Sequence, residues 1–337
     1  MITLAGDIGG TKTILAIFDQ AQGLGMPLAE KVFKSADFDS FEGMVEGFLQ
    51  EHDLQPVTAC FGVAGPVIAG SVNITKLPWS LSEQELQERL AIPSVRLLND
   101  LAATAKGLEV LGDEDFFTLQ EGVGDPKGTK AVIAPGTGLG EAFLSWDGQK
   151  FQVHASEGGH CLWAPQGPEQ VRFFEELWDR HEYVSYDLIC SGRGIPLIYD
   201  FLQRQADQKP AAWLSDQLAG ASDLSPVIVK AALQRPDDAP VCVRTLEIFC
   251  SILASEAANL AVQVLASGGV YLGGGIPPRI VSFLKNEKFL ETFLRRGPLR
   301  PILTKMPVRV ILNPKTALLG AGLCGLELIP IANKDQS

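Results

Sequence analysis

Cysteine and histidine are scarce in this chain, and its basic residues never gather into a block. Six cysteines and four histidines are spread through 337 residues. No CxxC pair and no HExxH pair occurs, so neither a disulfide framework nor a zinc-type ligand set is expected. Cys60, Cys161, Cys190, Cys242, Cys250 and Cys324 lie in apolar or mixed runs and read as small core residues. No stretch of apolar residues is long enough to cross a bilayer, which argues against a membrane partner. The opening Met-Ile-Thr-Leu-Ala-Gly-Asp has neither a basic segment nor a long apolar one, so no secretory leader is expected. The two absences together place the protein in the cytoplasm. The net charge of -12 makes a duplex nucleic acid an unfavourable partner, because such binding draws on Lys and Arg neutralising phosphates. No linker, low-complexity tract or solenoid repeat is visible.

What is present is a globular composition, 46% apolar and 20% charged, on a chain long enough for two domains. The boundary is expected near 110–115, at Leu-Gly-Asp-Glu-Asp. Residues 2–7 and 13–18 are short apolar runs around Gly9-Gly10-Thr11, which predicts strand, glycine turn, strand. Phe41, Met44, Val45, Phe48 and Leu49 follow helical spacing over 40–52, with Ser40 as N-cap. A strand at 57–63 leads into a Gly65-Pro66 turn. Ser82 and Glu85 form a capping box for a helix to Leu90. A strand at 95–98 is followed by a helix from Asn99-Asp100 to about Leu111. Residues 131–146 repeat the opening theme around Gly136-Thr137-Gly138-Leu139-Gly140, which suggests two structurally similar halves. The stretch 168–260 reads as mostly helical, with Val171, Phe174, Leu177 and Trp178 on one face and a long helix over 241–266. A strand at 269–273 enters Gly273-Gly274-Gly275, and Pro277-Pro278 opens a helix. A strand at 308–312 and a helix over about 315–327 finish the pattern. Alternating strands and helices predict an α/β class.

Five segments carry polar chemistry. In Gly6-Asp7-Ile8-Gly9-Gly10-Thr11 the glycines allow a tight turn whose N–H groups form an anion nest. No helix follows directly, so this is neither a P-loop nor a dinucleotide fingerprint. A carboxylate beside a phosphate nest is repulsive unless a cation stands between, so Asp7 would act on Mg²⁺, through its waters. Gly136-Thr137-Gly138 offers a second nest, and one such turn per half suits a nucleotide clamped from two sides. The run containing Gly274 leaves open space for a flat ring, or simply a flexible entry to a helix. Asn99-Asp100 supplies two N-caps, or a general base beside a sugar hydroxyl. Glu157-Gly158-Gly159-His160 brings a carboxylate and an imidazole together as partners for a polyol, or forms a polar loop.

Each segment alone is equally an ordinary turn or cap. In order, DIGGTKT, GPV, LPW, LLNDLAATAKG, APGTGLGEAFL, EGGH, SGRGI and LGGGIPPR resemble the bacterial ATP-dependent glucokinase family, over about residues 3–327. That family lies in the actin/hexokinase/Hsp70-like ATPase superfamily. The resemblance implies a two-domain actin-like ATPase (ribonuclease H-like) fold with ATP and D-glucose in an interdomain cleft. It implies a small domain of 1–112 plus about 316–337, a large domain of 113–315, and a homodimer. Carried over by position, Gly6 to Thr11 and Gly136 to Gly138 bind ATP phosphates, Gly274 helps to wall the nucleotide, and Asn99, Asp100, Glu157 and His160 bind the sugar, with Asp100 as base. Asp187 stands where a sugar-contacting Glu is expected, and Lys76 where Asn often precedes Leu-Pro-Trp, so both bear on sugar preference. The related zinc-bearing sugar kinases place a cysteine cluster after ExGH. Here only Cys161 follows, and no zinc is expected. The alternatives are a kinase for another neutral hexose or amino sugar, a non-catalytic sugar-sensing actin-like protein, and an ATP or polyphosphate hydrolase. The first strand begins at the N-terminus, with no DNA-binding helices ahead of it.

Overall fold

The structure is a computed structural model that describes residues 1–74, 77–206 and 209–330. Lys76 lies outside the described residues. The chain divides into two compact units, Met1–Glu114 with the described chain from Asn313 on, and Asp115–Leu312.

In the first unit β1 (Ile2–Ile8), β2 (Lys12–Asp19) and β3 (Ala29–Lys34) form an antiparallel meander. A small ribbon, β5 (Ser71–Asn73) with β6 (Ser80–Ser82), stands apart from the main sheet. On the other side of β1, β4 (Thr58–Val63) and β7 (Ser94–Asn99) add in parallel, giving the order β3-β2-β1-β4-β7. Strand β4 is buried at every position, as expected of a parallel strand covered on both faces. The pleat sends alternate residues to two separate cores. Leu4, Ile17, Ala59 and Phe61 pack with Phe41 and Phe48 of α1 (Phe41–His52) and with Leu86 of α2 (Glu83–Leu90). Ala5, Ala16 and Cys60 pack with Leu318 and Ala321 of the C-terminal helix, Thr316–Glu327. That helix lies along α3 (Asp100–Gly107), the segment that follows β7.

The second unit repeats the scheme. β9 (Lys130–Pro135), β10 (Leu139–Trp146) and β11 (Phe151–Ser156) form the meander, and β12 (Gly269–Leu272) and β13 (Val308–Ile311) add in parallel beyond β9. An antiparallel edge strand, β8 (Phe116–Gln120), completes the order β11-β10-β9-β12-β13-β8. Between β11 and β12 the chain runs through α4 (Gly167–Trp178), α5 (Tyr186–Ile189), α6 (Gly194–Gln205), α7 (Ala212–Gly220), α8 (Leu224–Gln234) and α9 (Pro240–Gln263). Helix α9 is apolar nearly all round because the other helices and the sheet cover it.

Several expectations need correction. The buried face of α4 is Gln170, Phe173 and Leu177, whereas Val171 and Trp178 are 40% and 51% exposed. The apolar phase there was ambiguous, and the Trp163 ring settles it by taking Phe173 edge-on. Helix α3 stops at Gly107 rather than Leu111, where the chain passes through single turns at Leu108, Glu109 and Val110. Pro277-Pro278 opens only a short 3-10 turn, and the following helix begins at Val281. Strands β3, β5, β6, β8 and β11 had no expectation attached. They are short or half-exposed, so their apolar alternation is faint. Cys161 is exposed and Cys324 half-buried, so not every cysteine is a core residue.

Candidate active site

The first unit contributes two sets of groups at strand ends. Between β1 and β2 the turn is closed by the Gly9 N–H donating to Lys12 O at 3.0 Å. It is pinned by Ser35, whose hydroxyl donates to Gly9 O at 2.9 Å and lies 3.0 Å from the Thr13 hydroxyl. Ser35 had no sequence signal. It lies just past β3, and only strand pairing brings it to the turn. No backbone bond among the described residues uses the Gly10 or Thr11 N–H, so both donors are available to an anion. The carboxylate of Asp7, half-buried on β1, accepts no hydrogen bond among the described residues. Burial pushes its carboxyl above the usual carboxylate range, and the Lys12 ammonium opposes this. Gly6 serves packing, since a Cβ there would meet the Phe61 ring at 2.7 Å.

The second set lies where β7 becomes α3. Asn99 is the N-cap: its Oδ1 accepts from the Leu101 and Ala102 N–H groups at 2.9 and 3.3 Å. Its Nδ2 donates to Gly65 O at 3.1 Å and ties the Gly-Pro turn to the helix start. Asp100 occupies the first helical position, where a carboxylate is favoured by the helix dipole, and its Oδ1 accepts from the Leu101 N–H at 2.9 Å. Gly62 of β4 allows α3 to approach, because a side chain there would strike the Ala103 Cβ at 2.9 Å. Asn99 and Asp100 are therefore caps in structure, with surface left on both for a ligand.

The second unit gathers nearly all its sequence-predicted residues into one cluster. In the turn after β9 the Gly136 N–H donates to Gly138 O at 2.8 Å, and the Gly192 N–H donates to Gly136 O at 2.7 Å. Asp187 on α5 accepts from the Leu139 N–H at 2.8 Å through Oδ1 and from Arg193 through Oδ2. Asp187 thus braces this glycine turn, and a Cβ on Gly138 would collide with it at 2.3 Å. Gly274, at a φ of 80°, rests against Pro135 O, where a Cβ would sit at 2.5 Å. These loops open onto a cavity of about 880 Å³. Its apolar wall includes Leu224, Pro226, Val229 and Ile276, and Arg193, Lys230 and Arg279 supply positive charge. An apolar wall with a few convergent polar groups suits a flat ring carrying an anionic tail. Arg193 and Arg279 fall inside the SGRGI and LGGGIPPR motifs but had been given no role, and Lys230 carried no motif at all.

The Glu157–His160 segment closes as one 3-10 turn, with the His160 N–H donating to Glu157 O at 3.0 Å. Both outer side chains are exposed, while Gly159 is buried against Leu139 O. Beneath the turn lie two acids that had been given no role, Glu141 on β10 within the APGTGLGEAFL run and Glu256 on α9, only 2% and 3% exposed.

The glucokinase family model matches residues 4–327. The chain belongs to the glucokinase family. It is 38% identical to the glucokinase of Trichormus variabilis over 344 residues, covering 97% of this chain and 99% of that one. It is 36% identical to the glucokinase of Synechocystis sp., covering 96% and 98%. The crystal structure of a glucokinase from an Antarctic psychrotroph superposes with a TM-score of 0.81 at 32% identity, covering 97% and 99%. A ROK-family glucokinase from Streptomyces griseus shares the fold, with a TM-score of 0.62 at 21% identity and 97% and 100% of the chains covered. The repeated mixed sheet is accordingly the actin-like ATPase architecture in this glucokinase-family chain.

Proposed function

We propose that Asp100 is the base with which this chain phosphorylates D-glucose from ATP, and that Asn99, Glu157, His160 and Asp187 hold the sugar. ATP-dependent glucose phosphorylation itself follows from membership of the glucokinase family. What supports Asp100 is its position: a half-buried carboxylate at the first turn of α3, oriented by the Leu101 N–H and the Asn99 cap.

In this reading the Asp100 carboxylate takes the proton of the glucose 6-hydroxyl as that oxygen attacks the γ-phosphorus and the bond to the ADP oxygen breaks. Asn99 keeps one amide hydrogen for the sugar. Glu157 and His160 flank their turn as acceptor and donor for neighbouring hydroxyls. Asp187 has lone pairs beyond those taken by Leu139 and Arg193. The Gly10 and Thr11 N–H groups and the Gly136–Gly138 turn bind phosphates. The 880 Å³ cavity takes adenosine, with Arg193, Lys230 and Arg279 near its polyphosphate. Among the described residues no three acidic, histidine or cysteine side chains converge as a metal cage. A cation here would ride on the nucleotide phosphates, and the unbonded Asp7 fits as its one protein carboxylate, through water. Mg²⁺ supplies charge neutralisation on the transferring group when bound. We take units 1–112 plus 316–337 and 113–315 as the working domains. We place the enzyme in the cytoplasm, in glycolysis, as a homodimer.

The test is ADP formation from Mg-ATP with and without glucose, mannose, fructose and N-acetylglucosamine. Glucose should stimulate most, and Asp100→Asn should lower kcat by about 10²- to 10⁴-fold. A near-normal kcat in that variant would remove Asp100 as base. Turnover with another sugar but not glucose would point to Asp187 and Lys76 as changed determinants.

A further inference from the structure

The buried acids under the Glu157–His160 turn are not explained by phosphoryl transfer. A Cβ on Gly158 would lie 2.1 Å from the Glu141 Oε2, so the backbone of the turn rests on this carboxyl. The Gly158 N–H is held by the Ser156 hydroxyl at 3.0 Å, and the Cys161 N–H donates back to Gly158 O at 2.8 Å. Glu141 lies beside Glu256, and its Oε1 has no hydrogen-bond partner among the described residues. Two neighbouring carboxylates this deeply buried cannot both be charged, so the pair keeps a proton.

The surroundings decide which acid carries it. Glu256 Oε2 accepts from Asn259 at 2.9 Å and also from the Tyr186 hydroxyl, and Arg296 donates to Asn259 Oδ1 at 3.1 Å and to Ser255 O at 2.5 Å. These donors favour the anion on Glu256 and leave the proton on Glu141. Burial and the charge of Glu256 push the Glu141 carboxyl up to about 8. The other ionisable groups facing the pair are the Cys161 and Cys190 thiols and Tyr186, all shifted upward by burial first and by these acids second. None of them loses its proton before Glu141 does.

We propose that Glu141 is a positioning residue for glucose: it shares one proton with Glu256, and that proton holds the Glu157–His160 turn in its sugar-binding shape. This rests on the reading of Glu157 and His160 as sugar ligands. Above the titration of the pair, two like charges would face each other under Gly158. The turn would then shift, raising KM for glucose and leaving kcat much less affected.

The test uses the intact enzyme. The infrared spectrum of the wild type should contain a protonated carboxyl C=O band that fades as pH rises from about 6 to about 9 and is absent in Glu141→Gln. Over the same range wild-type KM for glucose should climb several-fold. In Glu141→Gln, whose amide keeps a donor toward Glu256, it should stay low and flat. Glu141→Ala should have a raised KM at every pH. An absent band in wild type, or an alkaline rise of KM in Glu141→Gln equal to that of wild type, overturns the proposal. His160→Ala separates the two readings. An unchanged KM for glucose there, with the band still titrating, overturns the sugar role of the turn while leaving the shared proton in place.

Discussion

Lys106 shows how one side chain can be held by its neighbours alone. It is 4% exposed on α3, and its ammonium donates to Glu109 Oε1 at 2.8 Å and Glu327 Oε1 at 2.6 Å. An ammonium taken out of water is tolerable only while such partners remain. Replacing Lys106 by Met removes charge and solvation penalty together and should lower stability by no more than about 1 kcal/mol. Replacing Glu109 and Glu327 together by Gln leaves the cation uncompensated and should lower it by roughly 2–4 kcal/mol, toward the low end because Glu327 is partly exposed. Urea midpoints of the two proteins, compared at equal m-value, check the order. A sequence reading had no access to this trio, because Glu327 is 221 residues from Lys106.

At the scale of elements, the close approach of α3 and the C-terminal helix sets where Asp100 stands. A Cβ on Gly320 would lie 1.8 Å from Ala103 O, and one on Gly107 would lie 2.2 Å from Thr316 O. Both obstacles are backbone and cannot rotate away. Gly320→Ala must therefore spread the two helices, with a loss of about 3 kcal/mol in thermal or denaturant unfolding and a lowered kcat as the start of α3 shifts. Gly47 of α1 makes the contrast, since it is exposed with nothing within 4 Å of a Cβ. Gly47→Ala should raise stability by about 0.5–1 kcal/mol, through helix propensity and a less flexible unfolded chain. The sequence reading placed a helix at both glycines, but two glycines with opposite roles look alike until packing separates them.

For the whole molecule, the buried acids tilt stability against pH. Glu141 is raised to about 8, and Glu256 and Asp7 are also raised, each mainly by burial. Between about pH 4.5, where such acids ionise in the unfolded chain, and about pH 8, the folded protein binds more protons than the unfolded one. Stability therefore falls as pH rises through that window and levels off above it. The exposed Asp147 acts oppositely. Held down to about 2 by the Lys150 N–H, Gln152 and the Gln149 N–H, its contribution is lost as pH falls toward that value. Melting temperatures should peak in mildly acidic solution and decline toward pH 8. Glu141→Gln should flatten the decline, and an unchanged slope in that variant would contradict the assignment.

The sequence by itself determined the α/β class through local patterns, and the reaction family through the order of its motifs and the resemblance they carry. Its glycine turns between short apolar runs, its repeat of that theme and its alternating strands and helices are local patterns that need no tertiary contact to be read. Asn99-Asp100 and Glu157–His160 stood out as contiguous polar pairs bounded by turn signals, and only the order of all the motifs gave them a candidate role. Only the tertiary structure decided what supports them. Ser35 under the first turn, the brace from Asp187 to Leu139 and Arg193, the cations of the large cavity and the Glu141–Glu256 pair join residues far apart in the chain. An isolated Glu in an apolar strand looks like a surface residue out of phase. Burial against a second acid gives it a proton and a role, and burial is a property of the folded chain.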